Sequence, residues 1–188
     1  VLSRGLGDVY KRQVPDIKSE STVFICSFPL KNLPNHNSDK VKISLREDFR
    51  WGKSNIKSTS LLANVLYKIQ GNEENLDEII LHDNGYITEG AVSNVFCVKN
   101  KKVLTPSLQN NILPGVTRSV IIDIVKKLNI PLAESRISVE DLKNADEVWI
   151  TNTTKGILLV SEIDQIKVFR EDMIFKEVQE KFIQETLA

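Results

Sequence analysis

Four short β-rich runs follow one another between Glu78 and Leu104, with only turn residues and small linkers between them. They are Glu78-Ile79-Ile80-Leu81-His82, Ile87-Thr88-Glu89, Asn94-Val95-Phe96-Cys97-Val98 and Val103-Leu104. Each is short for a helix and rich in strand formers. Asp83-Asn84-Gly85-Tyr86 carries the Asn-Gly pair of a tight hairpin, a turn whose two central residues need positive φ. Asn100-Lys101-Lys102 marks another turn. A chain built this way must form a sheet with antiparallel pairs, and helices must cover the sheet.

The remaining segments supply strands and cover. Thr22-Val23-Phe24-Ile25-Cys26 is a further β-rich run, and Val41-Lys42-Ile43-Ser44-Leu45 alternates like a strand with one buried face. Ser58-Thr59-Ser60 offers N-cap hydroxyls to a helix with Leu61, Leu62, Val65, Leu66 and Ile69 at helical spacing, ending at Gly71. A second amphipathic helix follows Pro114-Gly115, with Val120, Ile121, Ile124, Val125 and Leu128 inward, and stops at Ile130-Pro131. Ser138 to Leu142 reads as a short capped helix. Glu147–Thr151 and Gly156–Val160 read as strands, and Met173–Leu187 as a closing helix buried through Ile174, Phe175, Val178, Phe182 and Ile183. Strands in clusters between three or four helices make the class α+β.

Charge and composition exclude several functions. The 188 residues carry 25 Lys+Arg and 25 Asp+Glu, so the formal net charge is zero. No basic excess exists to grip a nucleic-acid backbone. Apolar residues are 41% and charged residues 27%, the balance of a folded globule. No apolar run approaches the ~20 residues of a membrane helix, so no membrane partner is expected. Cys26 and Cys97 form no CxxC pair and make no zinc set with His36 and His82, so no metal is expected. Sparse cysteine points to a reducing compartment, the cytoplasm. Asp8-Val9-Tyr10-Lys11-Arg12-Gln13 resembles a translated sequencing adapter, so residues 1–13 are expected to be non-native and are set apart.

Three places carry chemistry. Lys57 sits between a strand region and a helix, where a desolvated amine would become nucleophilic toward carbonyls. Alone, a surface lysine is the commoner case. Glu89 precedes Gly90 and Ala91, small residues that allow a ligand close to the backbone. Such a carboxylate can pair with a protonated heterocyclic nitrogen, or stand exposed on an edge strand. Leu113-Pro114-Gly115-Val116-Thr117-Arg118 leads into a helix whose first N–H groups are free to cradle an anion, or forms an ordinary Pro-Gly turn. Thr151-Asn152-Thr153-Thr154 adds hydroxyls at a strand end, able to complete a cup for a phosphate. His82, in an apolar run, reads as a structural histidine, and no nucleophile elbow occurs.

In this order, Asn55-Ile56-Lys57, Glu89-Gly90 followed by Ser93-Asn94, Leu113 to Arg118, and Ala145-Asp146-Glu147-Val148 with Thr151 resemble the class IV aminotransferases. The resemblance covers about residues 20–188 and is nearest to the D-amino acid group. It departs from that group at Lys53-Ser54-Asn55 and at Ala91-Val92-Ser93. It implies the fold-type IV, pyridoxal-phosphate-dependent architecture: a large C-terminal domain over 46–188 and a remnant of the small N-terminal domain over 14–45. It implies a transaminase moving an amino group between a D-amino acid and a 2-oxo acid, and a homodimer when full length. Lys57 would hold pyridoxal 5'-phosphate and move the substrate's α-proton. Glu89 would pair with the ring nitrogen. Val116, Thr117 and Thr153 would hold the phosphate, and Arg50 would support the ring hydroxyl. The resemblance also implies that most of the small domain and its phosphate-binding arginine lie outside this chain, leaving it poorly active. A branched-chain L-amino acid aminotransferase or an aminodeoxychorismate lyase would use the same bed. A non-catalytic α+β binding module is the reading from another class.

Overall fold

The structure, a computed structural model, describes residues 18, 20, 23–27, 40–168 and 173–186. The expected adapter segment 1–13 lies outside the described residues. The chain divides into two compact units, Val1–Lys31 and Asn32–Ala188. In the first, residues 23–27 are exposed and form no strand, although Thr22 to Cys26 reads as β-rich. β-branched composition makes a strand only where a neighbour completes the ladder.

The second unit holds nine strands and four helices among its described residues. In chain order they are β1 (Lys40–Glu47), α1 (Leu62–Glu73), β2 (Glu78–Asp83), β3 (Tyr86–Gly90), β4 (Asn94–Lys99), β5 (Lys102–Thr105), α2 (Val116–Lys127) and β6 (Leu132–Glu134). α3 (Val139–Lys143), β7 (Glu147–Asn152), β8 (Gly156–Ile163), β9 (Ile166–Lys167) and α4 (Met173–Thr186) follow. The hairpin between β2 and β3 forms as expected, with Asn84 at φ 49° and Gly85 at φ 78°. Ser138 caps α3 through its Oγ, which accepts from Asp141 N at 2.9 Å. The expected domain boundary at 45/46 falls inside β1, which pairs in parallel with both β2 and β8. Residues 40–45 are therefore part of the large sheet.

The sheet order is β3-β2-β1-β8-β7-β4-β5-β6, with β9 on β8. β3 and β4 stand five strand spacings apart in that order, about 24 Å if the sheet were flat. Residues 91–93 join them, and so short a linker spans at most about 14 Å. The sheet must curl until β3 comes round to β4. The core confirms the curl. Val41 and Ile43 of β1, Ile80 of β2, Ile87 of β3, Val95 of β4, Ile150 of β7 and Val160 of β8 share one buried cluster inside the six strands. The alternate residues Phe96, Trp149 and Leu159 face outward into a second cluster with Ile121, Ile124, Val125, Phe175 and Val178 of α2 and α4. Glu147 docks α4 by accepting from Ile174 N at 3.1 Å and Phe175 N at 2.9 Å.

α1 departs from expectation. No side chain caps it, and Leu61 rather than a serine stands at its N-cap. Its apolar stripe faces outward: Leu62 is 74% exposed, and Leu61, Val65, Leu66 and Ile69 are about half exposed. Tyr67 and Gly71 face the sheet instead, Tyr67 packing with Ile79 and Leu81 of β2. The Tyr67 hydroxyl donates to Glu47 O at 2.7 Å and accepts from Phe49 N at 3.0 Å. Helical periodicity reports that a stripe exists, not that this chain alone covers it.

Candidate active site

One cavity of about 700 Å³ gathers four separate stretches of the second unit. They are the loop from Arg50 into α1, the turn from Glu89 to Asn94, the entry to α2 from Leu113 to Thr117, and the end of β7 from Thr151 to Thr153. Lys57 and Glu89 both line it. Lys57 lies in the exposed loop between β1 and α1.

Glu89 is buried, not an exposed edge glutamate. Its Oε1 accepts from Arg50 Nη1 at 2.6 Å, and its Oε2 accepts from Asn94 Nδ2 and Leu113 N, each at 3.1 Å. A carboxylate has about four lone-pair sites, so one remains for a donor in the cavity. Burial pushes the Glu89 carboxyl above its ordinary value, and the Arg50 guanidinium only partly offsets that. Arg50 is itself clamped. Its Nε and Nη2 donate to Asp48 Oδ1 at 3.0 Å and Oδ2 at 2.8 Å. Burial alone would raise the Asp48 carboxyl, yet Arg50 holds it below its ordinary value. Arg50 thus meets the site mainly through Glu89.

The small residues after Glu89 serve packing within the chain. A Cβ on Gly90 would collide with Ser93 Oγ and come within 3.3 Å of Glu78 Cδ. Glu78 is a buried carboxylate that accepts from Ser93 Oγ at 2.9 Å, Ile79 N at 3.0 Å and Val92 N at 3.3 Å. It pins the turn that carries the chain from β3 to β4. Close approach at Gly90 is therefore made by Ser93 and Glu78, where the sequence reading places a ligand.

The entry to α2 forms as the Pro-Gly signal predicts. Gly115 is the N-cap at φ −65°, ψ 138°, and no side chain caps the helix. The helical ladder starts with Ser119 N on Gly115 O at 3.0 Å, so the N–H groups of Val116 and Thr117 have no acceptor within the helix. Asn94 fixes this entry by donating to Leu113 O at 2.9 Å, and a Cβ on Gly115 would collide with Asn94 Oδ1. Thr153 is exposed at the cavity, in a turn organised by Asn152 Oδ1, which accepts from Lys155 N at 2.7 Å. Thr151 Oγ1 is buried and has no hydrogen-bond partner among the described residues.

The arrangement presents an amine, a buried acid and an uncapped helix start to one hollow. The sequence profile for amino-transferase class IV matches residues 1–163, a span that takes in the stretch set apart above. The chain belongs to the class IV aminotransferase family. It is 43% identical over 122 residues to the D-alanine aminotransferase of Listeria monocytogenes, covering 65% of this chain and 42% of that one. The D-alanine aminotransferase of Staphylococcus haemolyticus is 36% identical over 172 residues, 89% of this chain and 60% of that one. Among solved structures, the branched-chain amino acid aminotransferase from Escherichia coli superposes with a TM-score of 0.69 at 30% identity, covering 77% of this chain and 52% of that one. The class IV chain thus spans between two fifths and two thirds of the length of these relatives.

Three residues that fix this arrangement have no assigned role in the sequence reading: Asp48, which clamps Arg50, Glu78, which holds Ser93, and Asn94, which joins Glu89 to Leu113. Asp48-x-Arg50 is a local pair visible in sequence, but Glu89 lies 39 residues further on. Asn94 is quoted in the motif, and only the fold shows that it ties Glu89 to Leu113.

Proposed function

We propose that this chain carries the cofactor bed of a pyridoxal-phosphate-dependent transaminase acting on D-amino acids and 2-oxo acids. The observation that supports it is the sharing of one cavity by Lys57, Glu89 and the uncapped start of α2. The residues present fit the group. The free N–H groups of Val116 and Thr117 and the hydroxyl of Thr153 suit a phosphate. The acceptor site left on Glu89 suits a pyridine N–H, and the Lys57 amine suits an aldehyde. Pyridoxal phosphate, when bound, supplies an electron sink for the charge released at the substrate's Cα.

The chain's own residues do the rest. Glu89 would accept from the ring N–H, and the Arg50 guanidinium opposes the upward push that burial gives its carboxyl. The hydrogens on Arg50 not used by Asp48 and Glu89 serve the ring hydroxyl. Lys57 Nζ would take the proton from the substrate Cα and hold it for return. The turn 91–93, pinned by Glu78, walls the cavity from the sheet side. The D-amino acid class rests on the likeness to the Listeria and Staphylococcus enzymes. Branched-chain L-amino acids are the second reading, from the likeness to the Escherichia coli structure.

The outward stripe of α1 supports a homodimer, since about half-exposed leucines in a row call for a partner surface. Residues 14–39 are proposed as part of a small N-terminal domain. No helix among the described residues is long and apolar enough to cross a membrane, and the free Cys97 suits a cytoplasmic setting.

Reconstitution with pyridoxal phosphate tests the reading. A near-visible absorption band is expected, and Lys57→Ala should abolish it. D-alanine, L-leucine and aminodeoxychorismate offered to the loaded protein separate the substrate classes. A band untouched by Lys57→Ala would assign the amine elsewhere.

A further inference from the structure

β7 alternates between the two sides of the curled sheet. Val148 and Ile150 face the inner core, while Trp149 faces the helices. Thr151 follows the same alternation and stands on the helix side. Its register partner across the ladder is Asn94, and directly opposed residues of an antiparallel pair project to one face. The Asn94 side chain reaches Leu113 O and abuts Gly115, the N-cap of α2. The Thr151 side chain therefore stands on the face that meets the uncapped start of α2, and Thr151 also lines the cavity. It is 1% exposed, and its hydroxyl has no partner among the described residues. A buried hydroxyl left unbonded is costly, and a valine would fill the same space without that cost.

We propose that Thr151 is a phosphate-binding residue of this site, its O–H donating to an oxygen of a phosphate seated at the N-terminus of α2. The inference rests on the cofactor reading for the source of that phosphate, but its chemistry is that of any phosphate. The helix start supplies N–H donors and the positive end of its dipole. Thr151 adds a donor from the sheet side, so the anion is held between two elements instead of resting on one.

The whole chain is used for the test, as wild type, Thr151→Val and Thr151→Ser. Inorganic phosphate is titrated calorimetrically, and thermal stability is recorded without ligand. Thr151→Val is expected to weaken phosphate about tenfold, the loss of one hydrogen bond to a charged group. Its ligand-free melting temperature should equal or exceed that of the wild type, because an orphaned hydroxyl has become a methyl. Thr151→Ser should bind phosphate like the wild type. Unchanged phosphate affinity in Thr151→Val overturns the proposal. So does loss of binding in both variants, which would make the methyl the important group, and so does a wild type that ignores millimolar phosphate. Pyridoxal phosphate and pyridoxal separate the two ideas. A Lys57-dependent band with unchanged phosphate affinity in Thr151→Val sinks the role of Thr151 alone. Hydroxyl-dependent phosphate binding with no such band sinks the cofactor reading alone.

Discussion

Arg50 Nη1 donates to Glu89 Oε1 at 2.6 Å, and both side chains are almost wholly buried. Asp48 holds the other edge of the same guanidinium at 2.8 Å. Two acids thus share one base. A buried pair is poor grounds for stability, but breaking it strands a charge.

Arg50→Met should therefore cost about 3 kcal/mol in urea unfolding, since it leaves two carboxylates buried without their cation. The loss has a pH signature. Without Arg50, burial raises the Glu89 carboxyl further. A carboxyl raised in the folded state gives stability at low pH that is lost as pH rises through the folded value. The variant should trail the wild type more at pH 8 than at pH 5. A deficit constant across that interval would show that Glu89 is not the stranded group.

Asp48 and Glu78 should leave opposite marks on stability against pH. Burial would raise Asp48, but Arg50 overcomes it and the carboxyl ends below its ordinary value of 3.8. Its contribution is present above that value and vanishes as pH falls through the lower, folded one. Burial raises Glu78 above 4.5 with the Ser93 hydroxyl opposing, so its contribution is full below 4.5 and fades as pH climbs. Melting temperatures from pH 3 to 8 should show Asp48→Asn converging on the wild type at the acid end. Glu78→Gln should converge on it, or overtake it, at the alkaline end. Parallel curves for either variant would contradict the assignment.

Local chemistry makes part of this fold legible in the sequence. The Asn84-Gly85 turn, the Ser138 cap and the Pro114-Gly115 helix start each depend on neighbours within a few residues. The roles proposed for Lys57 and Glu89 come only through resemblance, because in the sequence each alone looks like a surface charge. Three features stay hidden. The outward turn of α1 depends on which face Tyr67 can dock on β2. The Gly90 constraint comes from Ser93 and Glu78 rather than a ligand. The orphaned Thr151 hydroxyl follows from a strand pairing between residues 57 apart in sequence, Asn94 and Thr151. Tertiary pairing decides all three, and no local window contains it.

Gly90→Ala should destabilise by about 2 kcal/mol, in the range of overpacking a filled core. Its new methyl would meet the Ser93 hydroxyl, which is anchored on Glu78 and cannot simply swing away. Adding Ser93→Ala removes that atom while leaving Ser93 O at 3.2 Å. The double variant should recover part of the loss, not all of it, in denaturant titrations. Full recovery would mean the backbone yields freely here, and no recovery would place the strain in the backbone alone.

The stripe on α1 gives a test that separates folding from assembly. Leu62 and Leu66 are exposed and are not members of the three buried clusters of the second unit. Replacing both by glutamate changes exposed positions outside those clusters, so intramolecular stability should change by no more than about 0.5 kcal/mol. If the stripe is the seat of a second copy, the same change buries two carboxylates at the interface and should abolish association. Sedimentation velocity of wild type and Leu62→Glu/Leu66→Glu, with melting curves run in parallel, reads both quantities. A variant that sediments like the wild type, whether as monomer or dimer, would free α1 from any role in pairing. A variant that unfolds would show that these leucines are covered within the chain after all.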